Sequence, residues 1–324
     1  MTRFSPIILA VGALLCLAAP EVGLAQSFPA RPVHLVMPYS PGGIVDYVGR
    51  VIARALSEEL GQPVVSENRP GAGGIAGTES VARSAPDGYT LLIMDPAIVI
   101  NPTLQPKLHF DLFRQLMTVS MVSSSPEVLV VSPQLPVKTV QELIAYAKAN
   151  PGKLNYASAG VGTTPHLGAE LFKQRAGIQA THVPYRSIGQ AFPDMMTDKV
   201  QFAFSSIAGA LPFTQDNRVR ALATTGPKRS KVYPDQPTME EAGLSGFQVD
   251  LWLGIFAPAG VPQDVAAKLS TALSKALKRQ DVIAALATVG VEPRGTSPDE
   301  GAVVLKSEFE KWKHVIEAAK ISLN

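Results

Sequence analysis

Residues 33–60 read VHLVMPYSPGGIVDYVGRVIARALSEEL, and the hydrophobic period changes once within them. Residues 33–37 are a short apolar run of the kind that fills a buried strand. A glycine-bearing turn follows at 38–43. Then Ile44, Val48, Val51, Ile52, Ala55, Leu56 and Leu60 share one helical face, and Gly61 supplies the stop. Strand, turn and amphipathic helix in that order predict the opening of an α/β unit with crossover helices and a parallel sheet.

The same order recurs outward from this stretch. Residues 63–67 and 90–94 read as strands, with a glycine-rich turn and a helix near 75–84 between them. Further on, 127–131, 154–157, 181–185, 200–204 and 220–224 read as strands, and 247–257 as extended chain. Thr139 with Glu142 is a capping box that opens a helix, and Asn150-Pro151-Gly152 closes it. Thr164-Pro165 reads as an N-cap followed by proline at the first helical position. Two amphipathic helices end the chain, one with Val265, Leu269, Leu273 and Leu277, the other with Leu305, Phe309, Trp312 and Ile316. This is an α/β protein of two units, the second inserted in the first. The expected lobes are 26–125 with 252–324, and 126–251, joined through hinge strands at 127–131 and 252–257, with a ligand cleft between them.

The N-terminus has the order of an export signal. Arg3 precedes an apolar run of residues 7–19, too short to span a bilayer, and Gly23-Leu24-Ala25 offers small residues at −3 and −1. Residues 1–25 are therefore read as a signal peptide cleaved near Ala25-Gln26, which puts the mature chain in the periplasm. The single cysteine, Cys16, lies inside the apolar run after Leu15, where a lipoprotein signal would need a small residue, so neither a lipid anchor nor a disulfide is expected. The formal net charge is +2, and no dense basic stretch points to nucleic acid.

In open α/β sheets ligands collect at the carboxyl ends of strands, beside helix N-termini. Two segments have that form, one per unit. The first is Tyr39-Ser40-Pro41-Gly42-Gly43, followed by Asp46. The second runs Ser158, Gly160, Gly162, Thr163, Thr164 and His166. Glycines let backbone amides approach a ligand closely, and helix N-termini favour an anion. Neither segment holds Arg or Lys. A valine at Gly43 or Gly162 would cover those amides. Asp46 reads equally as a water-mediated ligand contact or as an anchor for the first helical turn. Asp95, before Pro96, either starts a helix or points its carboxylate into the cleft, where it would disfavour a second ligand carboxylate. Tyr185, Ser205 and Ser206 complete the candidate lining.

The mature chain resembles the Bug-type (TctC-like) extracytoplasmic receptors of tripartite tricarboxylate transporters. The segments that carry the resemblance are RPVHLVMPYSPGGIVD at 31–46, GQPVVSENRPGAGGIAGTESVARSAPDGYTLL at 61–92 and NPGKLNYASAGVGTTPHLGAELF at 150–172, with THVPY at 181–185, RALATTGPKRS at 220–230 and GIFAPAGVP at 254–262. The resemblance implies a type II periplasmic-binding-protein fold. It implies a cleft that closes on a carboxylate held by the two loops, partly through water, and a permease of one large and one small membrane subunit. A monomer without cofactor or metal is expected. Ser205-Ser206, Asp95-Pro96 and Arg186-Ser187-Ile188-Gly189 depart from the family pattern, so no relative's substrate transfers directly.

Other functions find less in the residues. Tyr156-Ala157-Ser158-Ala159-Gly160 has one of the two glycines of a nucleophile elbow, which leaves a secreted hydrolase as a weak alternative. The histidines at 34, 109, 166, 182 and 314 have no metal spacing, and Gly71-Ala72-Gly73-Gly74 lacks the Lys-Ser/Thr of a phosphate loop. A receptor that presents its ligand to a membrane sensor kinase remains an alternative to transport.

Overall fold

The computed structural model of the protein describes residues 28–323. The export segment read at 1–25 lies outside them. The chain builds one sheet, then a second, then returns. β1 (Val33–Met37), β2 (Val64–Asn68), β3 (Thr90–Met94) and β4 (Leu116–Ser124) enter the first sheet. β5 (Glu127–Val131), β6 (Leu154–Ser158), β7 (Ala180–Pro184), β8 (Phe202–Ser206) and β9 (Arg220–Thr224) form the second. β10 (Leu253–Pro258) and β11 (Glu292–Pro293) rejoin the first. The spatial orders are β11-β4-β10-β3-β1-β2 and β7-β6-β8-β5-β9. The helices before the crossing are α1 (Ile44–Leu60), α2 (Ile75–Ala82), α3 (Ala97–Leu104) and α4 (Leu112–Gln115). Those of the inserted unit are α5 (Val140–Ala149), α6 (Thr164–Ala176), α7 (Phe192–Met196) and α8 (Ile207–Gln215). The chain closes with α9 (Gln263–Ala276), α10 (Gln280–Ala287) and α11 (Pro298–Ala319).

The β1–α1 unit forms as its pattern dictates. Leu35 and Met37 share a core with Val48, Ile52, Ala55 and Leu56, all fully buried. Removing each large apolar side chain from water is worth about 1.5–3 kcal/mol, which holds α1 on the sheet. Gly61 ends α1 in the left-handed conformation.

Three expectations need correction. The sheets are mixed, not parallel throughout. β2-β1-β3 and β7-β6-β8 are parallel, whereas β10 runs against β3 and β4, and β5 against β8 and β9. The two crossings lie side by side and run antiparallel at Pro126 and Asp250, so the strands flanking them, β4 with β10 and β5 with β9, run in opposite directions. β4 itself escapes the sequence pattern: Thr118, Ser120 and Ser123 are buried among Val119, Met121 and Val122, so neither an alternation nor an unbroken apolar run marks it. The start of α6 is also shifted by one residue. Thr163 is its N-cap, and Pro165 takes the second helical position. In α5 only half of the capping box forms. Thr139 Oγ1 accepts from Glu142 N at 3.1 Å, but Glu142 Oε2 reaches back to Lys138 N at 2.6 Å.

Neither 127–131 nor 252–257 carries the crossing itself; each lies wholly in one sheet. The crossing segments are Ser125-Pro126 and the stretch around Asp250, which pair antiparallel through Pro126 and Asp250. Asp250 accepts from Ser125 N at 2.6 Å and from Ser124 Oγ at 2.7 Å, and Leu251 N returns to Ser125 O at 3.1 Å. α11 braces this region. Glu308 on it accepts from Trp252 Nε1 at 3.1 Å, and Val315 O accepts from Gln174 of α6 at 3.2 Å. The C-terminal helix thus touches both halves.

Candidate functional site

A cavity of about 610 Å³ opens between the two sheets. Asp95, Ala97, Ile100, Asn101 and Leu104 come from the first half, and Val161, Gly162, Thr163, Thr164 and Ser206 from the second. Glu127 and Leu251 contribute from the crossing segments. Three helices begin at this wall: α3 after Asp95-Pro96, α6 after Thr163 and α8 after Ser206. α6 and α8 present a positive dipole end here, whereas the first-turn amides of α3 are already taken, Ala97 N and Ile98 N by Asp95 and Val99 N and Ile100 N by Pro96 O. No Lys, Arg or His is among the lining residues.

Of the residues expected from sequence, Tyr39, Asp95, Gly162, Thr163, Thr164 and Ser206 line this cavity. Ser40, Pro41, Gly42 and Gly43 are exposed at the rim, outside the lining. Asp46 is buried beneath them. It accepts from Gly42 N at 3.0 Å, Asn68 Nδ2 at 2.9 Å and Arg50 Nε at 3.1 Å. These bonds, led by Arg50, hold its carboxyl down to about 2 against the effect of burial. Its role is therefore to anchor the turn. Gly43 has φ −84°, so a side chain there is unstrained and meets nothing within 4 Å.

The second loop is built on neutral imidazoles. Gly162 has φ +79°, and its N–H donates to His166 Nδ1 at 3.1 Å. His166 stacks on His182 with ring centroids 4.0 Å apart, and Tyr156 stacks on His182 at 5.0 Å. Burial, with smaller contributions from His182 and Lys173, lowers His166 to about 3, and burial lowers His182 as well. Ser158 Oγ lies 2.6 Å from His182 Nε2 and accepts from Gly160 N at 3.0 Å. This Ser–His contact is not a nucleophile. Ser158 is fully buried, and its hydroxyl is enclosed in the loop it supports. Tyr185, half-buried, donates its OH to Asp194 at 2.8 Å, and Ser205 is fully buried; neither is among the residues lining the cavity.

Asp95 starts α3 and also lines the cavity. Its Oδ1 accepts from Ala97 N at 3.0 Å, which caps α3, and from Tyr39 OH at 3.0 Å, while the side chain faces the cavity. Burial raises the Asp95 carboxyl. It raises the Tyr39 hydroxyl too, with Asp95 adding to the effect. Among the described residues no group of three His, Cys, Asp or Glu side chains could hold a metal, and no helix is long and apolar enough to cross a membrane.

The family model for the tripartite tricarboxylate transporter family receptor, TctC, matches residues 48–321. The chain belongs to that receptor family. Protein BugT of Bordetella pertussis is 35% identical over 318 residues, covering 98% of this chain and 97% of its own. Among solved structures, an R. palustris protein with adipate is 32% identical, with a TM-score of 0.74 over 91% of this chain and 99% of that one. MatC from Rhodopseudomonas palustris with bound malate is 33% identical, with a TM-score of 0.70 over 89% and 100%. The receptor thus has the periplasmic-binding fold and the role of a solute receptor, not an enzyme.

Several lining residues of the receptor were not legible in sequence. Glu127 looks like the first residue of an apolar strand, and Asn101 and Gln105 lie in and just after a helix the strand pattern did not mark. Gly73 of the glycine-rich turn lines the cavity, and its carbonyl accepts from Asn101 Nδ2 at 3.1 Å.

Proposed function

We propose that the protein captures a small carboxylate in the cavity between its sheets and delivers it to a permease of one large and one small membrane subunit. The convergence of the α6 and α8 N-termini on a cavity without side-chain cations supports this reading most. There backbone amides and neutral side chains such as Thr163 and Thr164 hold the anion. A few hydrogen bonds to a charged group, at about 1.5–3 kcal/mol each, suffice for micromolar affinity after association costs. Tyr39, Asp95, Gly162, Thr163, Thr164 and Ser206 form the wall. Closure about the crossing segments brings Ser40–Gly43 in from the rim. The rigid units are 26–125 with 252–324, and 126–251, in a monomer. Asp95 disfavours a second carboxylate nearby, since like charges repel and burial strengthens the effect.

Thermal-shift screening against mono-, di- and tricarboxylates tests the receptor reading, because binding raises apparent stability by mass action. Monocarboxylates with a polar remainder should give the largest shifts. Asp95→Asn should improve dicarboxylate affinity relative to wild type. A wild type that prefers a dicarboxylate, with that preference unchanged in Asp95→Asn, rules out selection by Asp95. Export is read from residues 1–25, and intact mass of the native protein should show a start near Gln26; an acylated Cys16 would overturn that assignment.

A further inference from the structure

Glu127 is an unsatisfied group of the cleft. Its Oε2 is sealed from solvent without a hydrogen-bond partner. The residue is 3% exposed and lines the cavity. An unpaired buried acceptor is costly, by about 1–3 kcal/mol and more when charged, so a fold that keeps one at a cavity wall leaves it for something that enters. Its backbone is already fixed. Glu127 N donates to Thr225 Oγ1 at 2.7 Å, and its carbonyl accepts from Thr225 N at 2.9 Å. The side chain is thus held in place by the strand. Gly168 of α6 and Val249 pack closely beside it: a Cβ at Gly168 would lie 3.6 Å from Oε2 and 3.3 Å from Val249 Cγ1.

The protein offers this carboxyl no donor. Asp250, the charged neighbour, is itself an acceptor whose oxygens take Ser125 N and Ser124 Oγ. Asp95 adds another carboxyl to the lining, with Oδ1 already engaged by Tyr39 and Ala97. With two carboxyls and no side-chain cation, the wall favours a donor or a positive charge at one end of the ligand. The α6 and α8 N-termini receive the anionic end. Ile100, Leu104, Val161 and Ile188 offer apolar surface for a short alkyl spacer between the two.

On the receptor reading above, we infer that Glu127 selects the ligand, and that the cleft takes a small zwitterion whose carboxylate meets the helix N-termini while its ammonium donates to Glu127. Burial and the charge of Asp250 push the Glu127 carboxyl up to about 8, and a ligand ammonium favours its ionised form again. A second carboxylate at the same place finds no cation, and its only side-chain donor there would be the protonated form of Glu127.

Calorimetry on the mature protein with length-matched pairs tests this: 4-aminobutanoate against succinate, 5-aminopentanoate against glutarate, 6-aminohexanoate against adipate. The amino acid should bind at least tenfold tighter in one or more pairs. Glu127→Gln should reduce that ratio at least tenfold while the melting temperature holds. Glu127→Asn serves the same purpose where the first variant is unstable, and the wild-type ratios need no variant. Tighter diacid binding in every pair overturns the inference and leaves the receptor reading standing. A neutral variant that keeps the wild-type ratio overturns the role of Glu127. Binding of neither class overturns both readings.

Discussion

In the first half of the molecule Gly42 donates its N–H to Asp46, and in the second Gly162 donates to His166, each at about 3 Å and each across four residues. Both glycines have positive φ, and both acceptors sit in the first turn of the helix that follows. The two loops share a backbone device but differ in charge. Asp46 is an anion tied to Arg50, which is half exposed, and its loop stays at the rim. His166 is neutral, stacked on His182, and its loop lines the cavity. The difference has an electrostatic reason. A carboxylate directly behind Gly162 would repel an anion held by the α6 amides, whereas an uncharged imidazole can accept the same hydrogen bond without that penalty.

The largest expected effect separates the loops sterically. Gly162→Val forces a β-branched residue into φ +79°, and its Cβ would lie 2.6 Å from Leu104 Cδ1 across the cavity. Carboxylate affinity should fall at least about 100-fold, from strain of about 1–2 kcal/mol plus occluded amides and a blocked approach of the two halves. Gly43→Val carries no such strain and should weaken binding about tenfold or less, through amide access alone. Equal losses measured by calorimetry would mean that both loops grip the ligand alike. Next in size is Asp46→Ala, which removes the acceptor shared by Gly42 N, Asn68 Nδ2 and Arg50. It should destabilise the protein by about 2–3 kcal/mol in urea unfolding. A change below about 0.5 kcal/mol would remove the anchoring role.

What could be read from sequence follows the range of the forces involved. The β1–α1 unit, the Gly61 stop and the Thr139 cap depend on residues within one element and its turn, and their patterns are intact in the chain. β4 was hidden because Thr118, Ser120 and Ser123 are buried by partners far away, such as Thr296, whose carbonyl accepts from Ser120 Oγ. At the site, the strand-turn-helix form of 158–166 was legible as local grammar to within one residue of the α6 cap, whereas the helix start at Ser206 was not read. The His166–His182 stack, the Asp250 pairing and the unpartnered Glu127 were not, because each depends on contacts between distant parts of the chain. Asp46 shows the same limit on a smaller scale: its four-residue link to Gly42 was readable, but Asn68, which decides its role as an anchor, arrives from another strand.

The smallest expected effect concerns pH and separates the two acceptors by titration. His166 has a folded value of about 3 against an unfolded value near 6.5, so between those limits the unfolded chain binds the extra proton. Its contribution to stability is full above about pH 6.5 and is lost as pH falls, by about 2 kcal/mol between pH 7 and pH 5. Asp46, lowered to about 2, keeps its contribution through that whole window and loses it only below about pH 4. Glu127 acts in the opposite sense, because its raised value favours the folded state as pH falls below about 8. Total stability therefore hides the effect, and differences between variants reveal it. His166→Gln keeps an acceptor for Gly162 N but cannot titrate, so its stability relative to wild type should improve by about 2 kcal/mol from pH 7 to pH 5 in urea titrations. The same difference for Asp46→Asn should stay flat over that range and change only in more acidic solution. A flat difference for His166→Gln would place a charged imidazole behind Gly162 at pH 5, and the electrostatic distinction between the two loops would then fail.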